Sequence, residues 1–219
     1  MPSAGSTRAA TLAHVGDAVR QLVRDGYDRV ASEYLAARPS DGADARLLDE
    51  LADRLTPGDL VLDAGCGAGV PVEPRLQAAG FSVVGLDLSG VQLDLARRNG
   101  FSDVVQGDLA SVPFRTGAFR AAVSFYAIIH VPRGDHLEVF RELRRVLAPG
   151  GSLLLCLGAR DVPADHDRDS WLGAPMYWSH YDADTNVALL REAGLTVVWS
   201  RIVDDPMGHA DHLFVLATT

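Results

Sequence analysis

The chain has 219 residues, 47% hydrophobic and 22% charged, with a formal net charge of −9. This is the balance of an ordinary globular protein, long enough to bury a core without disulfide staples, and the acidic excess argues against a nucleic-acid partner. All 20 positions counted as lysine or arginine are arginine, which excludes a Schiff-base lysine, a pyridoxal phosphate anchor and a P-loop lysine.

The Ser-, Ala- and Gly-rich start, about ten residues, is expected to fray. Leu12, Val15, Val19, Leu22 and Val23, then Val30, Tyr34 and Leu35, recur at helical spacing. A further helix is predicted over 44–55, with Leu47, Leu48 and Leu51 on one face, and Thr56-Pro57-Gly58 ends it. This sets an N-terminal helical part, 1–56, apart from the remainder, 57–219. From residue 60 the pattern changes. Short apolar runs at 60–62, 81–86, 103–106, 118–125 and 153–157 alternate with helices, one capped by Ser89 and one opened by Pro132. Such alternation predicts a parallel, doubly wound α/β sheet. Residues 158–182 read as a long connection. A helix follows over 183–193, closed by Gly194, then two strands, 195–203 and 213–217, whose short link predicts an antiparallel hairpin.

Several side chains have bland readings. Cys66 and Cys156 lie in apolar runs, spaced neither as metal ligands nor as a disulfide framework, and read as buried, reduced thiols. Arg141, Arg144 and Arg145, beside Glu138 and Glu142, read as a solvated helix face. His14, His136 and His166 read as surface residues. His209 and His212 flank Asp211 near Asp204 and Asp205, but this reads as a hairpin with polar ends, and no metal is expected. Without a transmembrane-length apolar stretch or an apolar leader core, the chain is expected to be cytoplasmic, with no membrane partner.

The chemistry concentrates in three places. In Asp63-Ala64-Gly65-Cys66-Gly67-Ala68-Gly69, a buried strand runs into an acid and alternate glycines. The glycines let a ligand approach the backbone, and the helix beyond them offers free N–H groups. The nicotinamide fingerprint fails, because Val70 stands where GxGxxG needs glycine. Asp87 ends the second predicted strand, about 20 residues beyond the glycines, where an acid holds ribose hydroxyls. Asp108 follows the third, where it can accept from an adenine amino group. Three acids after three successive strands describe a nucleoside site at one sheet edge.

On these motifs the chain resembles the class I S-adenosylmethionine-dependent methyltransferases, from about residue 27 to the end. DAGCGAG at 63–69, LDLS at 86–89, GDLASVPF at 107–114, SFYAIIHVPR at 124–133 and LRRVLAPGGSLLL at 143–155 carry the resemblance, and YDRVASEY at 27–34 is similar to the family's YDxxAxxY lid helix. The resemblance implies a seven-stranded, Rossmann-like, doubly wound methyltransferase sheet with an antiparallel C-terminal hairpin, an N-terminal helical lid, and S-adenosylmethionine as cofactor. It implies that Gly65 and Gly67 line the cofactor, Asp63 holds its amino group, Asp87 its ribose and Asp108 its adenine amino group, with Leu109 packed on the ring. Cys66, Leu88, Tyr27 and Tyr34 are further expected contacts. A sulfonium cofactor without phosphate suits a site of acids and aromatic rings without lysine.

For catalysis the sequence offers Tyr126 and His130, after the fourth predicted strand, and His180; a histidine can take a proton from an acceptor hydroxyl or amine. In the long connection, Trp171, Tyr177 and Trp178 are expected to form the aromatic wall of a substrate cap. Ser124-Phe125-Tyr126-Ala127 stands where methylases of nucleobase amino groups carry an Asn/Asp-Pro-Pro-Tyr signature. The expectation is methyl transfer to oxygen or nitrogen of a small molecule by a monomer or homodimer. The alternatives are another use of the sulfonium (cyclisation or rearrangement) and a non-catalytic cofactor-binding protein.

Overall fold

The computed structural model describes residues 4–208 and 210–219, with side chains outside 4–15 and 165–170. The apolar runs form parallel strands β1 (Leu60–Ala64), β2 (Ser82–Asp87), β3 (Val104–Gln106), β4 (Phe119–Ser124) and β5 (Leu147–Gly158). Two further strands, β6 (Val162–Trp171) and β7 (Ala174–His180), pair antiparallel as a separate ribbon, while β8 (Thr196–Val203) and β9 (His212–Thr218) add an antiparallel hairpin to the main sheet. The seven-stranded order is β3-β2-β1-β4-β5-β9-β8. Strand order reverses between β1 and β4, so a crevice opens at their carboxyl ends, the usual ligand position in such sheets.

Period-two alternation divides the core between the two faces. Leu62 of β1 packs with Val139, Phe140 and Leu143 of α5 (His136–Val146) and Leu190 of α6 (Ala183–Glu192). Its neighbour Val61 packs the other way, with Leu48 and Leu51 of α2 (Ala43–Ala52), Leu76 of α3 (Val72–Ala78) and Leu93 of α4 (Gly90–Arg98). Phe140, Leu143 and Leu93 are fully buried, each worth about 1.5–3 kcal/mol of transfer from water. The long helix α1 (Ala4–Ala37) sits against the separate ribbon, with Val19 and Val23 against Met176 and Tyr177.

Several expectations need correction. The start is helical from Ala4 rather than frayed, in keeping with its alanine content. Residues 158–182 are not an irregular connection: most of them form the β6–β7 ribbon, turned at Leu172-Gly173, both at positive φ. The fifth strand starts not at 153 but at Leu147, with Pro149-Gly150-Gly151 inside it, where a register shift opposite Phe119/Ala121 absorbs the extra residues. His136 is buried, not on the surface; Nε2–H donates to the Val131 carbonyl at 3.1 Å, and burial holds its pKa down to about 4. Arg145 is more than part of a solvated face: it pairs with Glu142 and donates to the Val112 and Phe114 carbonyls at 2.9 and 2.8 Å, pinning the chain after β3 to α5. The side chains of His14, His166 and His209 lie outside the described residues. No helix among the described residues is long and apolar enough to cross a membrane.

Candidate active site

At the end of β1 the chain turns sharply. Gly65 takes φ +85, and a Cβ there would lie 2.2 Å from that of Ala127, so only glycine fits. The Gly65 and Cys66 amides donate to the Leu86 carbonyl at 2.6 and 3.1 Å, which ties the glycine loop to β2. Asp87 then locks the loop from the side. One carboxylate oxygen accepts the Gly67 amide and the other the Ser89 amide, each at 2.8 Å. Ser89 caps α4 by accepting the Gln92 amide at 3.1 Å.

The resulting cleft lies at the switch point and is lined by Asp63, Gly65, Cys66, Gly67, Asp87, Leu88, Asp108 and Leu109 on its floor. Burial pushes both inner acids upward. Asp63 is carried to about 8 by desolvation, then by Asp87 and Glu73; Asp87 is raised by desolvation, against the opposing pull of its backbone donors. Cys66 is buried and its thiol is pushed up by desolvation and the neighbouring acids, which makes it inert packing rather than a nucleophile. At the far end, Asp108 accepts the Ala110 amide at 2.9 Å and the Nε–H of Arg20.

The roof is α1. Arg20, Val23, Arg24, Tyr27, Tyr34 and Leu35 all line the cleft. Besides Arg20–Asp108, the helix is held by Ser89 donating to Asp28 at 2.5 Å and by Tyr27 bonding His130 Nε2 at 2.9 Å. His130 is buried, its Nδ1 2.7 Å from the Tyr177 carbonyl, and desolvation holds its pKa down to about 4. Tyr126 lines the same space at φ 56, a strained position for a side chain of its size. Its hydroxyl donates to Asp44 at 3.1 Å, Asp44 pairs with Arg38 at 2.5 Å, and the Arg38 guanidinium lies 4.2 Å above the Tyr126 ring.

Four expected substrate or catalytic residues do not reach the cleft. His180 lies at the end of the ribbon against Gly158, donating from Nδ1 to the Arg160 carbonyl at 2.7 Å. Tyr177 is buried under α1. Trp171 stands 5.2 Å from Tyr27 and 5.5 Å from Tyr34, and Trp178 stands 5.8 Å from His130, ring centre to ring centre. These aromatics buttress the wall rather than forming it, because the ribbon packs behind α1 instead of folding over the opening. Among the described residues no group of three or more His, Cys, Asp or Glu is placed to hold a metal ion.

Two cleft residues, Arg38 and Gln92, and Asp44 behind Arg38 escaped the sequence reading. Arg38 and Asp44 gave no motif, since the Tyr126 they surround is 82 residues beyond Asp44. Gln92 lines the cleft, is buried, and has no hydrogen-bond partner for either amide atom. A buried, unpartnered amide beside two raised carboxylates and a glycine loop suits a ligand rich in hydroxyl and amino groups and without phosphate.

Fold and site together define a nucleoside-cofactor enzyme of the doubly wound α/β class. A family model described as a methyltransferase domain matches residues 61–151. Methyltransferase GfsG of Streptomyces halstedii is 33% identical over 212 residues, covering 83% of this chain and 75% of that protein. Sterol 24-C-methyltransferase ERG6B of Gibberella zeae is 38% identical, over 44% of this chain and 27% of its own length. The Xenopus tropicalis protein tRNA (carboxymethyluridine(34)-5-O)-methyltransferase alkbh8 is 30% identical, over 78% of this chain and 25% of its own length. Among solved structures, a Methanosarcina mazei SAM-dependent methyltransferase superposes with TM-score 0.69 at 22% identity, covering 78% of this chain and 96% of that one. The cyclase SpnF superposes with TM-score 0.69 at 21% identity, covering 92% and 96%. At such identities these two show the fold alone. The chain belongs to the S-adenosylmethionine-dependent methyltransferases.

Proposed function

We propose that this methyltransferase acts on an oxygen or nitrogen atom of a small-molecule acceptor. The observation that carries the reading is the roof. α1 is bound to Asp108, Ser89 and His130 along the cleft, and the interior beyond is lined by Tyr34, Leu35, Phe125 and Tyr126. A nucleic-acid acceptor calls for an open groove with cations for its phosphates; this interior is enclosed and largely apolar, as small-ligand sites are.

In this reading residues 1–56 are the lid and 57–219 the core. Asp63 receives the cofactor's ammonium, Asp87 its ribose and Asp108 its adenine amino group, while Leu88 and Leu109 pack against it and Gln92 offers its free amide. When bound, the cofactor supplies an electrophilic methyl group on a sulfonium. The protein contributes proximity and alignment of the acceptor, and water exclusion. His130 is the base on the cleft wall.

The test is mass spectrometry after incubation with S-adenosylmethionine and a panel of hydroxylated and aminated small molecules, with sterols and tRNA alongside. Gain of one methyl on oxygen or nitrogen of a small molecule, with S-adenosylhomocysteine formed, supports the proposal. Methylation confined to carbon or to RNA overturns it, and so does a cyclised product without methyl gain.

A further inference from the structure

The bond between Tyr27 and His130 has a direction. Nδ1 of His130 faces the Tyr177 carbonyl at 2.7 Å, and a carbonyl has no proton to give. Nδ1 therefore carries the hydrogen and donates it. Nε2 is left with a bare lone pair, 2.9 Å from the Tyr27 hydroxyl, which must donate to it. A hydroxyl entering the cleft meets Nε2 already covered by the phenol. Both Tyr27 and His130 line that cleft.

We infer that Tyr27 and His130 form a proton relay, in which Tyr27 takes the acceptor's hydroxyl proton as it hands its own to His130. The inference rests on the small-molecule reading above, for an oxygen acceptor. The acceptor's O–H bond breaks and its oxygen–methyl bond forms, while the methyl–sulfur bond breaks and leaves its electron pair on sulfur. The acceptor's proton goes to the Tyr27 oxygen, and the Tyr27 proton goes to Nε2. One positive charge leaves sulfur and one appears on the imidazole, so the net charge of the closed cleft does not change. The imidazolium returns its proton to water when the lid opens.

The surroundings require this concerted form. Burial, then Tyr34 and Asp87, push the Tyr27 phenol well above its ordinary value, so it cannot rest as a phenolate. Around His130 the packed elements present Tyr27 from α1, Trp171 from β6, and Trp178 and the Tyr177 carbonyl from β7. The titratable groups acting on it are His180 of β7 and His212 of β9, both of which lower it, as burial does. Nε2 is therefore free of protons throughout the neutral range. Tyr34 and Trp171, 5.6 and 5.2 Å from Tyr27 ring to ring, hold the phenol edge-on.

Two measurements test the relay. Nitrogen-15 NMR of the imidazoles of the full chain should show His130 protonated at Nδ1, with an Nε2 signal that moves to that of an unbonded acceptor in Tyr27→Phe. An Nε2-protonated His130, or an Nε2 signal indifferent to Tyr27→Phe, overturns the inference. The second is kcat across acceptors of graded hydroxyl acidity. Tyr27→Phe and His130→Asn should each lose about 10²-fold on alcohols and progressively less on acidic phenols, and the double variant should lose little more than either alone. A loss of equal size across the series marks a positioning role and overturns the relay while the small-molecule reading stands. A wild-type enzyme that methylates no oxygen acceptor in the series overturns the oxygen reading and the relay together.

Discussion

The floor and the roof of the cleft are built from contacts of different reach along the chain. On the floor, Asp87 binds amides 20 and 2 residues away, and Asp108 binds one 2 residues on. The roof is held by side-chain pairs that close over long spans, Tyr27 to His130 across 103 residues, Arg20 to Asp108 across 88 and Asp28 to Ser89 across 61, and the corner beside it joins Tyr126 to Asp44 across 82. The floor is a backbone device, fixed once β1, β2 and their turns form. The roof depends on side chains that meet only when the whole chain is folded. That difference suits a site whose cofactor and acceptor must enter and leave beneath a helix.

The largest test of the contrast is at the buried corner of the roof. Asp44→Ala leaves Arg38 as a buried charge without its carboxylate, and should cost about 3–5 kcal/mol of folding stability, read by denaturant unfolding. A loss under 1 kcal/mol would show that the corner is not closed in solution. On the floor, Asp87→Ala should weaken S-adenosylhomocysteine binding by ~1–3 kcal/mol with the fold retained; unchanged affinity by calorimetry would remove Asp87 from the cofactor site.

Asp63 gives a pH signature. Its folded pKa of about 8 stands above the unfolded value of about 3.9. The folded chain therefore keeps a proton that the unfolded chain loses. The corresponding stability is fully present below pH ~4 and is lost as pH rises through ~8. Unfolding midpoints of the cofactor-free protein should fall across that window, and Asp63→Asn should flatten the fall. A cofactor ammonium placed on Asp63 should expel the proton, so calorimetric binding heats at pH 7 should depend on the buffer's ionisation enthalpy; heats independent of buffer count against this placement. The smallest effect is expected at the outer edge of the roof. Arg20 and Asp108 are about a third exposed, so Arg20→Ala should cost under ~1 kcal/mol of stability, but should speed S-adenosylhomocysteine release in stopped flow. An unchanged release rate would mean that α1 does not gate the cleft there.

Legibility divides along the same line. Strand–helix alternation, the glycine loop and the acids at the ends of β1 and β2 were readable because each is a local pattern, an apolar period or an acid within a turn of a strand end. The β6–β7 ribbon was not readable. Its stretch VPADHDRDSW carries few of the alternating apolar residues that mark a strand, because it is a two-stranded ribbon steadied by α1 rather than a member of the sheet. His130, Trp171 and Trp178 were legible as chemistry-bearing residues, but not as one cleft-lining histidine and two rings behind it, since that placement depends on which face of the ribbon meets α1.

By itself, the sequence determined the doubly wound sheet and the acidic floor, because apolar periodicity and short-range backbone geometry dictate both, and its motifs carried the resemblance to the family. The closed roof, the Arg38–Asp44–Tyr126 corner and the one-way bond from Tyr27 to His130 were decided by tertiary structure alone, because each depends on a contact between groups 61 to 103 residues apart, whose meeting no local pattern encodes.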